Sequence, residues 1–253
     1  MQTTSSPCFR GVWKRTELFE PRGQLGPAID REKIVMWMQS KSGLFIDIRV
    51  SPNAEDNTDP HNLKSFAGTG EYDSSLKHFT WTRLMDFRPP GAPDVGLMNF
   101  TSPGVVEEDG VLPGDDFKEV WTQQLDVDSI ADSGNDFVSE VQTRCGSRKG
   151  YFMVVGDFFA FTLCREDVLS VDKMNQYFDE GGDLLDDEKQ QLMSYVCLMG
   201  RTTDWKVQYS LDINSVGCTV LPEQSEASDL LASLQWTIVE GTPPSAIAPL
   251  VTA

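Results

Sequence analysis

Two strand-like runs, IVMWMQS (34–40) and LFIDIRV (44–50), are separated by only Lys41, Ser42 and Gly43. So short a glycine-containing link between two period-two runs specifies a β-hairpin. Alternation then assigns the faces. Met36, Met38, Leu44, Ile46 and Ile48 make one face wholly aliphatic, whereas Trp37, Gln39, Phe45, Asp47 and Arg49 mix aromatics with an acid, a base and an amide. An open sheet with one wet side would simply solvate the mixed face. A small closed barrel would turn it inward, where Trp, Gln, Asp and Arg could line a cavity for a small molecule. The pattern fits both arrangements.

The rest of the chain continues as strands. Before the linker these are 9–19, the hairpin, 63–72, 77–87, 94–100, 104–109 and 117–125, divided by turn residues such as RPPGAP (88–93). After a polar, small-residue stretch at 126–136, strand-like runs resume at 136–144, 151–155, 157–164, 192–200, 205–211, 217–221 and 234–240. Such spacing predicts antiparallel sandwiches or barrels, not alternating βα units. One helix is expected, over DVLSVDKMNQYFDE (167–180), and the tail 241–253 reads as loose. In KHFTWTRLMDF, alternation groups Phe79, Trp81, Arg83, Met85 and Phe87 on one side, with His78, Thr80, Thr82, Leu84 and Asp86 on the other.

Charge narrows the partners. The net charge is −18, and the second half carries most of it: thirteen basic against eighteen acidic residues up to 125, eight against twenty-one beyond. That balance argues against nucleic acid or an anionic membrane. The acid run Asp179 to Glu188 reads as a solvated loop or helix end. Five widely spaced cysteines with no CxxC pair give neither zinc spacing nor a disulfide framework. With no apolar signal-peptide core at the N-terminus and no run long enough for a membrane helix, a cytoplasmic protein is expected. GxSxG and HExxH are missing, and GTGEYD (68–73) lacks the third glycine and the βα context of a dinucleotide loop. No metal, nicotinamide or flavin cofactor is expected. Any chemistry would rest on a shaped pocket and a few polar groups.

In motif order, FRGVWKR, VMWMQSKSGLFIDIRV, SFAGTGEY, WTRLMDFRPP, DVGLM, VVEEDG, FKEVW and later MVVGDFFAFTLCR resemble the two-domain lipocalin-like (double calycin) family. The likeness covers most of residues 9–125 and thins beyond 165. It implies an all-β chain of two packed antiparallel barrels, residues 9–125 and 136–240, with one short helix in the second. This type of cofactor-free barrel is also similar to the fungal hetero-Diels–Alderases of tropolonic sesquiterpene biosynthesis. Those enzymes are thought to join a tropolone-derived ortho-quinone methide to a humulene-type double bond, mainly by holding two apolar partners in one orientation. The likeness would make Arg49 the donor to the quinone-methide carbonyl, Asp47 the acid or its orienter, and Gln39 a second donor. Trp37, Phe45, Tyr72 and Trp81 would be apolar walls, and Arg83 stands where the family pattern leads one to expect a histidine. The partner so implied is a hydrophobic small molecule, with room for a homodimer. Against this stands a plainer reading: Asp47 and Arg49 as a structural ion pair, the tryptophans as ordinary core, and the barrel as a non-catalytic binder of a lipophilic molecule or a protein.

Overall fold

A computed structural model describes residues 9–88, 94–124, 136–165, 169–220 and 230–251. Eight strands form a closed antiparallel barrel: β1 (Gly11–Phe19), β2 (Ile34–Gln39), β3 (Leu44–Val50), β4 (Lys64–Asp73), β5 (His78–Asp86), β6 (Asp94–Ser102), β7 (Val105–Gly110) and β8 (Lys118–Gln123). Each pairs with the next, and β8 pairs back onto β1 across a bulge between Arg15 and Glu17. Closure decides between the two readings of the opening hairpin. In the β2–β3 register Trp37 faces Asp47 and Gln39 faces Phe45, and this mixed face points into the barrel.

The aliphatic face points outward, onto a second sheet. Met36, Met38, Ile46 and Ile48 pack with Met153, Ala160 and Met199 in one apolar core between the two layers. Each fully buried side chain of this kind contributes about 1.5–3 kcal/mol. The second sheet comprises β9 (Phe137–Thr143), β10 (Lys149–Val155), β11 (Phe158–Leu163), β12 (Val196–Arg201), β13 (Lys206–Ser210) and β14 (Leu234–Glu240), in the order β13-β12-β11-β10-β9-β14. A second closed barrel was expected, but among the described residues β13 and β14 are edges that do not meet. The anticipated strand at 217–221 supplies only the single bridge from Thr219 to Lys206, and residue 221 lies outside the described residues. The far face of this sheet has its own core, including Phe152, Phe159, Phe161 and Trp205. Ile247 and Leu250 of the tail join it, so the tail expected to be loose is tied down by apolar burial. The polar linker at 126–135 lies outside the described residues.

Helices are few. The expected one runs as α2 (Val171–Glu180), after the single-turn α1 (Ala28–Arg31). The Ser170 side chain accepts from the Lys173 backbone N–H at its start, and Gly181 closes it at φ 71°, the left-handed conformation that glycine adopts without steric cost. A second helix, α3 (Asp186–Met193), occupies the end of the acid run. Asp186, Asp187 and Glu188 fill its first turn, where negative charge opposes the helix dipole favourably, and the Glu188 carboxylate accepts from the Leu185 N–H at 2.8 Å. A last single turn, α4 (Ala248–Val251), carries Leu250.

The predicted faces of β5 break at a bulge. The register with β4 shifts between Ala67 and Gly68, which pair with Met85 and Arg83 and skip Leu84. One extra residue reverses every face beyond it. Met85 and Phe87 therefore join the core between the layers, and Asp86 turns inward beside Arg83. Gly68 permits this: a Cβ there would lie 1.9 Å from the Thr82 carbonyl oxygen.

Candidate functional site

The barrel interior is layered along its axis. At the end bearing the β2–β3 turn, and through the middle, aromatic rings fill the lumen. Trp37 is the hub, its ring centroid 5.3 to 6.0 Å from Phe79, Trp81, Trp121 and Trp13. At the opposite end the inward positions become ionisable: Arg15, Arg49, Lys64, Arg83, Asp94, Glu108 and Glu119 line a mouth with a cavity of about 400 Å³. Between mouth and aromatic floor lies a void of only about 10 Å³, bounded by Trp37, Asp47, Arg49, Phe66, Trp81, Asp94, Glu108 and Trp121. That is room for one water.

The charges are closely organised. Arg49 Nε donates to Asp47 Oδ1 at 2.9 Å, and Arg15 Nη1 to Glu119 Oε1 at 2.6 Å. Arg83 donates to Asp94 at 2.8 Å and to Asp86 at 3.3 Å. Trp121 Nε1 donates to Glu108 Oε2 at 2.9 Å. Phe66 lies beneath three cations, with Arg83 Cζ 4.0 Å, Arg49 Cζ 5.2 Å and Lys64 Nζ 5.6 Å from its ring centroid. Burial pushes the Glu108 carboxyl well above its ordinary value, helped by Glu119 and Asp94. Burial also raises Asp47, against the pull of Arg49, and Asp86, against Arg83. Arg49 is held charged: burial opposes its charge, but Asp47 and Glu119 outweigh it. Lys64 is pushed down to about 8, first by neighbouring Arg49, then by burial and Arg83. Among the described residues no group of three or more His, Cys, Asp or Glu is placed to hold a metal ion.

The structure divides the residues singled out from the sequence. Asp47, Arg49, Trp37 and Trp81 surround the small void. Gln39 lies one dipeptide further from the mouth, beside Gly70 and Phe79, its Oε1 buried without a hydrogen-bond partner. Tyr72 packs on Phe9 at 5.0 Å towards that same end, and Phe45 packs on Phe66 at 5.9 Å. Gln39 is not among the residues around the void that Asp47 and Arg49 share. Sequence reasoning does not single out Lys64, Asp94, Glu108 or Glu119, and it places Arg83 only on the face shared with Trp81. A signal was present: a charged and an aromatic residue two apart recur as Trp13/Arg15, Lys64/Phe66, Trp81/Arg83 and Glu119/Trp121. On separate strands of one closed barrel, that spacing stacks a charged layer on an aromatic one.

Two other hollows lie between the layers. One of about 490 Å³ is lined by Arg83, Met85, Tyr151, Cys164 and Tyr195, among others. The other, of about 250 Å³, lies along Glu140, Gln142, Tyr151 and Thr237. No helix among the described residues is long and apolar enough to cross a membrane.

Comparison with known proteins supports the fold. The chain resembles the crystal structure of the uncharacterized protein YLR301w from Saccharomyces cerevisiae, with a TM-score of 0.56 at 13% identity over 92% of this chain and 98% of that one. At that identity the likeness speaks for architecture alone. No curated protein matches. A family model described as Protein HRI1 matches residues 24–240, which spans the barrel from β2 onward and the whole second sheet. A match of that extent places the chain in the HRI1 protein family.

Proposed function

We propose that this protein is a binding barrel that takes a small polar molecule at its ionisable mouth and stops it at the Trp37–Trp81–Trp121 floor. One contrast carries the reading: a cavity of about 400 Å³ at the mouth against about 10 Å³ beneath it. Small-molecule sites occupy roughly 300–1,000 Å³ with a few convergent polar groups. The mouth has that size and those groups, whereas the lumen is already full of side chains. A fragment screen by crystal soaking tests the proposal. Fragments should settle between Arg49, Arg83 and Asp94. Occupancy only in the hollows between the layers, around Tyr151 and Cys164, would overturn it.

The finer reading as a hetero-Diels–Alderase has one observation in its favour: Arg49 and Asp47 are paired and face the lumen. It also requires a tropolone-derived quinone methide and a humulene-type sesquiterpene to lie together against Arg49. The floor leaves no such volume, and the mouth is walled mainly by ionisable groups. The same volume argument weighs against a lipophilic ligand in the lumen. Incubating the protein with a quinone-methide precursor and humulene decides between them. Dihydropyran product above the uncatalysed background, lost in Arg49→Met, would make the barrel an enzyme.

A further inference from the structure

The mouth holds N–H donors that the protein itself leaves unused. Arg49 and Lys64 are directly opposite each other in the β3–β4 register. Like charges in directly opposed positions repel across the roughly 5 Å between their Cβ atoms. Arg49 spends only Nε on Asp47, and its two Nη groups make no hydrogen bond among the described residues. Lys64 forms neither a hydrogen bond nor an ion pair among the described residues, and its ammonium stands over the Phe66 ring. Arg83 stands over the same ring from β5, and its Nε is buried without a partner. Below them, Trp37, 1% exposed, lines the void and has an indole N–H with no acceptor. All four of these side chains present donors that lack an acceptor.

We infer that the mouth receives a small molecule through a carboxylate or phosphate group, gripped by the free fork of Arg49 and by Lys64, with Arg83 behind. This rests on the mouth being the binding site. The planar guanidinium matches two oxygens of such a group at once, and the ammonium adds a third contact. Asp47 takes only the Arg49 Nε, and burial disfavours the charged form of Glu108, so the Arg49 Nη groups and Lys64 remain for a ligand. The cavity size selects a small molecule over a polymer, and the net charge of −18 disfavours polyanions in general. Lys64 is faced by Arg49 and Asp47 from β3, Arg83 from β5 and Asp94 from β6. Arg15, Glu20, Asp30, Lys33, Arg88, Glu108 and Glu119 complete the mouth. An arriving anion restores the Lys64 proton, so binding near pH 8 takes up protons.

Titration calorimetry in buffers of different ionisation enthalpy, paired with NMR of Lys64 Nζ and Arg49 Nε, tests the inference. The probes are inorganic phosphate, phenyl phosphate and benzoate, with benzyl alcohol as the neutral control. Phosphate-bearing probes and benzoate separate the two oxyanion classes. At least one anion should shift both resonances and take up protons, while benzyl alcohol does neither. Lys64→Met should weaken that anion by about ten- to a hundredfold, the loss of one charge-assisted contact, and abolish the proton uptake. Arg49→Lys should weaken it too, because a point charge cannot replace the fork. If benzyl alcohol binds the mouth as well as benzoate does, the anion inference falls and the receptor reading stands. If no probe binds the mouth at millimolar concentration, both fall.

Discussion

The barrel and the six-stranded sheet are made of similar antiparallel strands, yet they bury different things. The sheet is apolar on both faces. Its two buried charges among the described residues both reach across to the barrel: Asp136 takes two 2.7 Å bonds from Arg10, and Arg165 donates to the Phe87 carbonyl at 2.8 Å. The barrel turns only its outer, aliphatic side to that sheet and keeps ionisable groups inside. Buried charges cost several kcal/mol each unless they are paired. A fold that packs apolar layers on one side has no structural need for such a cluster on the other. The difference sets a supporting sheet against the barrel that carries the proposed binding site.

If that division holds, the largest effect on stability should come from the sheet and leave the mouth untouched. Phe152 is fully buried and packs on Phe137, Phe159, Phe161 and Trp236. Phe152→Ala should cost about 3–5 kcal/mol in urea unfolding, with the Arg49 and Lys64 resonances unmoved below the transition. Movement of those resonances would show that the sheet shapes the mouth and would break the division. Gly68→Ala should cost less, about 1–3 kcal/mol for overpacking, but it should disturb the mouth. Its Cβ would meet the Thr82 carbonyl, and the bulge that turns Asp86 beside Arg83 would have to relax. Altered Arg83 resonances are the expected readout, and an unmoved Arg83 would mean that the bulge does not position it.

How much of this was legible before folding depends on which physics set it. The hairpin faces could be read because strand periodicity and a three-residue link are local, and closure needed only to choose which face went inside. The faces beyond Leu84 could not, because a bulge adds one residue without a local mark other than Gly68 on the facing strand. The pair Asp47 and Arg49 was visible as neighbours on one strand. Lys64, Asp94, Glu108 and Glu119 come from four other strands, and only closure brings them to one mouth. The open edges of the second sheet were equally hidden, since strand count does not determine whether β13 and β14 meet.

The pH dependence of stability sharpens the contrast further. The folded barrel raises the Glu108 carboxyl well above the 4.5 of the free side chain, mainly by burial. The native state therefore holds that proton more tightly than the unfolded chain does. Its contribution to stability is complete below 4.5 and is lost as pH rises toward the folded value. Asp47 and Asp86, also raised, act in the same direction. Glutamine mimics the protonated form and can still accept from Trp121 Nε1. Glu108→Gln should therefore flatten the fall in unfolding free energy as pH rises above 4.5. Equal slopes in the two proteins would mean that Glu108 is charged in the fold and that the barrel buries a true anion.

The smallest expected effect has the least usual sign. Lys64 stands opposite Arg49, beneath no carboxylate of its own, and its lowered pKa marks a charge that the fold disfavours. Replacing it by methionine keeps the stem over Phe66 and removes the repulsion. Lys64→Met should therefore raise the melting temperature by a few degrees at pH 7, in the range of about 0.5–2 kcal/mol typical of relieving strain kept for function. Raising the pH should shrink the gain. Above pH 8 the wild-type amine loses its proton in the folded state while the unfolded chain keeps it up to 10.5, so wild-type stability climbs toward that of the variant. Saturating anion should narrow the gap from the other side, because it stabilises the protein that retains the lysine more than the variant, which binds it more weakly. A variant less stable than wild type at every pH would show that Lys64 holds the barrel together, and the mouth would lose its claim to be an unfilled site.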